Sequence, residues 1–396
     1  MSRAPVMPAY MQRLRFAPLP ELERMRDREG VESVRTPFGS TAWLVTRHAD
    51  VREVLGDTEH FSNQVRRPDG TPGEAPGGLP LMPGFLLSYD PPEHTRLRRV
   101  LTREFTAKRM RRLEPRIHEL VDEHLDAMQE AGPPADLVTE FALPVPSLVI
   151  CELLGVPSGD RAAFQERTGT MLDVGRGEQA RTAAAAASRV YMSELVTRAR
   201  REPGEDMIGM LVREHGDDIT HAELVGVATL LLIGGHETTS NMLGLGTLAL
   251  LEHPDQLAVV RDDPAAVDTA IEELLRWLSV VHASVPRMAT VDTTVGGHRV
   301  RAGDLVVCSI TVADRDPELG EDADRLDVTR RAASHLAFGH GVHHCLGAPL
   351  ARMEMRIGFP ALLRRFPGLR LAVPDEDIDF RSSHLVYGLN ALPVEW

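Results

Sequence analysis

The segment Phe338-Gly339-His340-Gly341-Val342-His343-His344-Cys345-Leu346-Gly347-Ala348-Pro349 concentrates residue types that can do chemistry. Gly339 and Gly341 allow tight turns and close backbone approach. Proline is tolerated in the first turn of a helix, so Pro349 places Cys345 at the N-terminal end of one. There the helix dipole and unpaired N–H groups favour a thiolate over a thiol. A thiolate held in a loop by backbone donors suits a soft metal centre. Two other readings stay open on these residues alone. One is a buried structural cysteine beside solvent-facing histidines. The other is a zinc site made of His340, His343 and Cys345.

Three further groupings have chemical content. Glu273 and Arg276 stand three apart, where they can pair on one helix face; taken alone, such a spacing is usually a surface ion pair. Gly234-Gly235-His236-Glu237-Thr238-Thr239 places two glycines inside a helical stretch, at a cost of roughly 1 kcal/mol each relative to alanine. Helix–helix packing would account for them, and so would a need for open space. Residues 96–116 hold nine basic side chains against Glu104 and Glu114, a local balance of +7. Such a run is either a solvated helix face or a docking surface for an acidic partner.

The elements that must position these groups read as mostly helical. Helices are expected from Pro91-Pro92-Glu93 onward, at about 111–131, 140–154, 160–172 and 178–201, at 265–278, and at about 346–366. Thr220 to His253 reads as one long buried helix, with Thr220 and Glu223 at capping-box spacing. Val31 to Thr46 reads as a hairpin, Val295 to Ile310 as strand-rich, and short strands are expected near Leu369–Val373 and Leu385–Leu392. Residues 67–84 hold five prolines and five glycines in 18 positions and form a long irregular loop. No repeat and no composition shift divides the chain, so residues 1–396 are expected to form a single domain.

Composition bounds the function. The chain has 396 residues, 43% hydrophobic and 26% charged, with 44 basic and 58 acidic residues and a net charge of −14. That is ordinary globular composition, and the acidic balance argues against a nucleic-acid binder. Cys151, Cys308 and Cys345 are far apart and include no CxxC pair, which fits a reducing compartment. Residues 1–16 lack the apolar core of a secretory signal, and the apolar stretch near 224–233 is shorter than the roughly 20 residues of a membrane span. A cytoplasmic location with no membrane attachment is expected.

The cysteine segment resembles the haem-binding signature of the cytochrome P450 superfamily, Phe-Gly-x-Gly-x-His-x-Cys-x-Gly. Phe338, Gly339, Gly341, His343, Cys345 and Gly347 match its fixed positions. Glu273 and Arg276 are similar to the family's Glu-x-x-Arg helix, with Arg325 as the corresponding third partner. Gly234 to Thr239 resembles the oxygen-activation segment. Asp90-Pro91-Pro92-Glu93-His94-Thr95-Arg96-Leu97-Arg98 is close to the bacterial pattern, and the likeness runs from about residue 10 to Trp396. The chain is thereby identified as similar to bacterial, actinobacterial-type class I members.

The resemblance implies a mainly α fold with a minor β portion, in which haem b lies between the long central helix and the helix after the cysteine loop. It implies Cys345 as the axial iron ligand, Phe338 and Gly347 beside the cofactor, and His94, Arg98, Arg287 and His343 on the haem propionates. Thr238 would hydrogen-bond dioxygen, the co-substrate, and Glu237 would relay protons. Cavity residues would be Leu81, Met82, Phe85, Leu230, Ile233, Gly234, Val281, Ala283, Val285 and Val386. The implied activity is monooxygenation, by hydroxylation or epoxidation, of a bulky secondary metabolite such as a polyketide or macrolide. Alternatives are oxidative coupling or another tailoring oxidation of a peptide or terpenoid, and a non-catalytic haem-binding ligand carrier. Electrons would come from a ferredoxin and its reductase, and a monomer is expected.

Overall fold

A long central helix crosses the molecule, and a five-stranded sheet flanks the helical mass. The structure, a computed structural model, describes residues 7–65, 82–331 and 334–396. Among these, the helices in chain order are α1 Pro20–Arg28, α2 His48–Gly56, α3 Glu93–Thr102, α4 Ala107–Ala131, α5 Pro144–Leu153, α6 Arg161–Leu172 and α7 Gly177–Arg201. They continue with α8 Met207–His215, α9 His221–Glu252, α10 Pro254–Asp262, α11 Val267–Leu278, α12 Ile310–Ala313 and α13 Ala348–Arg365. The strands are β1 Arg13–Leu14, β2 Ala17–Pro18, β3 Val31–Arg35, β4 Thr41–Val45, β5 Phe61–Ser62, β6 Ala135–Asp136, β7 Arg287–Ala289, β8 Thr293–Val295, β9 His298–Val300, β10 Leu305–Cys308, β11 Arg370–Leu371 and β12 Pro393–Glu395.

The expected mainly α architecture with a minor β portion is what the chain adopts. Thr220 and Glu223 form a reciprocal capping box at the start of α9. From there α9 is buried almost all round, so its partners decide its packing. It lies on α5, α7 and α13, and glycines set the close contacts. A Cβ on Gly235 would come 2.7 Å from Ile150 Cδ1 of α5, and one on Gly246 would come 2.5 Å from Phe359 Cζ of α13. The order β3-β4-β10-β7-β5 builds the main sheet, with β10 parallel to β4 and antiparallel to β7.

Five helices, α1, α2, α8, α10 and α12, were not expected from the sequence. The first four have nine residues each and α12 has four, too short for a periodic apolar pattern to stand out. Prolines at the start of α1 and α10 are the signal that could have found two of them. The expected strand at Leu385–Leu392 is reduced to single bridges, Val281 with Val386 and Phe380 with Leu389, and regular pairing moves to β12. Gly388 is pressed so tightly onto Asn241 of α9 that no side chain fits there.

Candidate functional site

The cysteine loop is anchored before it begins. Leu336 N donates to the buried Asp314 carboxylate at 2.6 Å, and Gly339 N donates to Leu336 O at 2.7 Å. Gly339 and Gly341 both take φ near +72°, and a Cβ on Gly341 would lie 2.7 Å from Leu55 O at the end of α2. Cys345 N closes the loop by donating to Phe338 O at 2.8 Å. Cys345 is exposed and borders a cavity. Burial pushes its thiol up, while the N–H groups of Gly347 and Ala348 and the charges of Arg98 and Arg352 pull it back toward thiolate. Among the described residues no cluster of three or more His, Cys, Asp or Glu side chains is arranged to hold a metal ion, so the zinc reading of His340, His343 and Cys345 finds no ligand set.

Behind the loop, Arg276 is clamped on all sides. Its Nε and Nη2 donate to Glu273 at 2.7 and 2.8 Å, and its Nη1 donates to the carbonyls of Asp314 and Ala323 at 2.6 and 2.8 Å. The third partner corrects the sequence reading. Arg325 supplies only its carbonyl, 3.3 Å from Arg276 Nη2, whereas the cation on Glu273 is Arg330, with Nε at 3.2 Å. The turn at 322–330 sends Arg330, not Arg325, back toward α11, where Asp322 also holds it at 2.9 Å.

The cavity is about 350 Å³ and lies between α9 and α13. Its floor includes Phe338, Cys345, Gly347, Leu350 and Ala351, and its roof includes Leu230, Gly234 and Thr238 of α9. Val281, Ala283 and Val285 line one wall, as expected. Gly234 meets no atom that a Cβ would touch within 4 Å, so it opens space, whereas Gly235 serves packing against α5. Each of the two explanations for the paired glycines therefore applies to one of them.

Four expected cavity residues do not border it. Ile233 is rotated off the Leu230–Gly234 face and packs toward Met171. Val386 is engaged in its bridge to Val281. Met82 and Phe85 pack into the core, and the loop presents Leu86 and Leu87 instead. The reason is backbone contact: Gly84 and Gly226 let the loop lie directly on α9, with no room for a side chain at either position. Leu81 lies outside the described residues.

One edge of the cavity gathers basic side chains, several of whose buried nitrogens have no partner. Arg98, Arg287 and His343 border it, and His94 packs behind His343 with ring centroids 4.1 Å apart. Both nitrogens of His94 and of His343, and Nε and Nη1 of Arg287, are buried without a hydrogen-bond partner. Burial first, and then the neighbouring cations, push His94 down to about 4 and His343 down to about 3. Buried donors left unpaired are costly, and a cluster of them suits an anion. Two carboxylates on a flat apolar cofactor fit that edge, and the thiolate side of Cys345 fits its metal.

Glu237 and Thr238 are neighbours in sequence with different surroundings. Thr238 borders the cavity, and its Oγ1 donates to Gly234 O at 2.6 Å. Glu237 is turned away and buried, with Oε2 accepting from Arg381 Nη1 at 2.8 Å and Oε1 lying 3.6 Å from His236 Nε2. Sequence reasoning missed Arg381, which no local pattern links to a residue 144 positions earlier. It also missed Glu354 of α13, which borders the cavity with Oε2 unpaired and whose carboxyl burial pushes well up.

The basic stretch is neutralised only in part. Arg96 pairs with Glu223, Arg109 with Glu104 and Glu214, and Arg116 with Glu119, Glu123 and Glu152. Arg98 donates to His344 O at 2.6 Å. Arg99, Arg103, Arg111 and Arg112 are exposed and make no ion pair among the described residues.

The family model described as "Cytochrome P450" matches residues 261–386. "Cytochrome P450 FAS1" of Rhodococcoides fascians is 46% identical over 98% of this chain and 98% of its own. Among solved structures, P450 StaH from glycopeptide antibiotic A47934 biosynthesis superposes with a TM-score of 0.87 at 47% identity, over 98% of this chain and 100% of that one. CYP105P1 in complex with filipin I superposes with a TM-score of 0.91 at 42% identity, over 100% of this chain and 99% of that one.

Proposed function

Because the chain belongs to the cytochrome P450 family and is a haem-dependent monooxygenase of that family, we propose that its substrate is a bulky, uncharged, largely aliphatic secondary metabolite of the polyketide or macrolide class, hydroxylated or epoxidised with electrons from a ferredoxin. The observation that carries this reading is the contrast within one cavity. Leu86, Leu87, Val227, Leu230, Val281 and Val285 form an aliphatic roof and wall, while the charged groups gather at the edge beside Cys345. An apolar pocket with few placed polar groups favours a neutral ligand, because a charge there would lose its hydration without finding a partner.

In this reading Cys345 holds the haem iron, Phe338 and Gly347 pack beside the ring, and His94, Arg98, Arg287 and His343 take the propionates. The haem, once bound, activates O2 for insertion of one oxygen atom into the substrate. Thr238 offers a hydroxyl at the cavity surface, already fixed by its bond to Gly234 O. Glu237 holds a carboxylate one residue away, where Arg381 and His236 keep it oriented and shielded from the cavity. To relay a proton, the Glu237 carboxylate would first take one up from solvent, leave Arg381 and turn toward Thr238 Oγ1, which would pass it into the cavity.

Arg99, Arg103, Arg111 and Arg112 support the ferredoxin assignment, since an acidic donor is steered by unpaired cations. A reductase would complete the chain from NAD(P)H. Among the described residues no helix is long and apolar enough to cross a membrane. The same reading makes the protein a cytoplasmic monomer with one domain.

A second reading has its own support. The similarity to P450 StaH, from glycopeptide antibiotic biosynthesis, favours a peptide as substrate, with oxidative coupling as the reaction. A Soret titration with a panel of macrolides and aromatic peptides separates the two. Macrolides are expected to displace water from the iron and to be oxygenated when ferredoxin, reductase and NADPH are supplied. A response to the peptides alone, with ring coupling as the product, would replace the first reading by the second.

A further inference from the structure

Arg352 has no part in the reading above, yet it lies against the loop that carries Cys345. It stands on α13, seven residues after the cysteine. Its guanidinium carbon sits 4.6 Å from the centroid of the Phe338 ring. Such a cation over an aromatic face is attracted by the ring quadrupole and holds the ring in place. Phe338 in turn accepts the Cys345 N–H at its carbonyl, at 2.8 Å. The cation and the sulfur thus share one residue between them, and the charge of Arg352 is among those that favour the Cys345 anion.

Arg352 is itself fixed from the other side. Its Nε and Nη2 each donate to Glu272 at 2.6 Å, one to each carboxylate oxygen. His335 Nε2 lies 3.0 Å from Glu272 Oε2. Burial works against that carboxylate, but the hydrogen bonds from Arg352 and His335 outweigh it and hold Glu272 down at about 2. Glu272 directly precedes Glu273, so α11 supports the loop twice. Glu273 braces the interior through Arg276, and Glu272 reaches α13 through Arg352.

We propose that Arg352, held by Glu272 and stacked on Phe338, is a positioning residue that sets the electrostatic potential at the Cys345 sulfur and so the reduction potential of the bound centre. This rests on the haem-thiolate reading. One-electron reduction by an external donor adds one negative charge at the centre and breaks no bond. A nearby cation favours that state, and the carboxylate beyond it partly cancels the effect. A plain structural brace would behave otherwise, because damage to either partner would loosen the same loop in the same way.

The test is a spectroelectrochemical titration of the haem-loaded protein, with wild type beside Arg352→Gln, Arg352→Lys and Glu272→Gln. Arg352→Gln is expected to lower the reduced-to-oxidised ratio at the wild-type midpoint by about threefold or more. Glu272→Gln is expected to raise it, because Arg352 then acts uncompensated. Arg352→Lys keeps the charge but loses the two-pronged contact, and should fall between wild type and Arg352→Gln. Shifts of the same sign for Arg352→Gln and Glu272→Gln, or no shift in either, would overturn the proposal. So would loss of haem by all the variants with wild-type circular dichroism, which would assign the trio to cofactor retention. Wild-type protein that loads haem yet shows no thiolate-type absorption with carbon monoxide would instead remove the reading beneath it.

Discussion

On the floor of the cavity, from Leu336 to Gly347, the backbone is pinned by named atoms: the Asp314 carboxylate, the Phe338 carbonyl and the end of α2. The roof, from Leu86 and Leu87 across to Leu230 and Val281, presents aliphatic side chains, and its polar ties are few: Asn63 Nδ2 donating to Leu87 O at 2.9 Å and the bridge of Val281 to Val386. The floor must present one sulfur and several cationic donors at fixed positions. The roof must supply volume and dryness, which many side-chain sets provide. Substitutions in the floor should therefore remove a function, and substitutions in the roof should redirect one.

The sharpest way to break this contrast lies behind the floor. Arg276→Ala leaves buried Glu273 with Arg330 as its one remaining cation and frees the carbonyls of Asp314 and Ala323, and the expected loss is about 3 kcal/mol of stability, read by denaturant unfolding of the loaded protein. A loss no larger than that of a surface substitution would mean the floor is not braced as described. Next in size is Thr238→Ala, at the point where roof meets chemistry. Product formed per NADPH consumed should fall by about 10²-fold while substrate binding is retained. Unchanged coupling would take Thr238 out of proton delivery.

Leu230→Ala should weaken binding of an aliphatic substrate by about 1–3 kcal/mol in a Soret titration and shift the site of oxidation, with cofactor absorption unchanged. Loss of haem in this variant would erase the distinction between roof and floor. Acid should reach the floor first. Glu272 is depressed from 4.5 to about 2, so its contribution is complete above pH 4.5 and is lost as pH falls toward 2. Acid unfolding of Glu272→Gln should accordingly depend less on pH in that window than wild type does. The smallest effect is expected from Arg112→Glu, which should raise the KM for ferredoxin a few-fold at low salt, with the difference fading as ionic strength rises.

The same contrast explains what could be read in the sequence. The cysteine loop was legible because its atoms act over a few residues: glycines where φ is positive, a proline that starts a helix, a cysteine between them. The capping box at Thr220 was legible for the same reason. The choice of Arg330 over Arg325 was not, since it depends on how the turn at 322–330 folds back onto α11. Nor was the Arg381–Glu237 pair, which joins the C-terminal segment to α9. The face of α9 was only half legible. Periodicity places Leu230 and Gly234 together, but the position of Ile233 follows from where Met171 packs. Met82 and Phe85 failed because backbone contact between Gly84 and Gly226 rotated the loop, and only the packed structure contains that fact.

The central claim is that Cys345 presents an anionic sulfur to the iron of a haem seated on this floor. Reduced, haem-loaded protein exposed to carbon monoxide reports on it directly. Wild type should show the strongly red-shifted Soret band of thiolate ligation, and Cys345→His should bind haem and carbon monoxide without that band. A wild-type spectrum matching that of Cys345→His, with haem fully incorporated, would contradict the account.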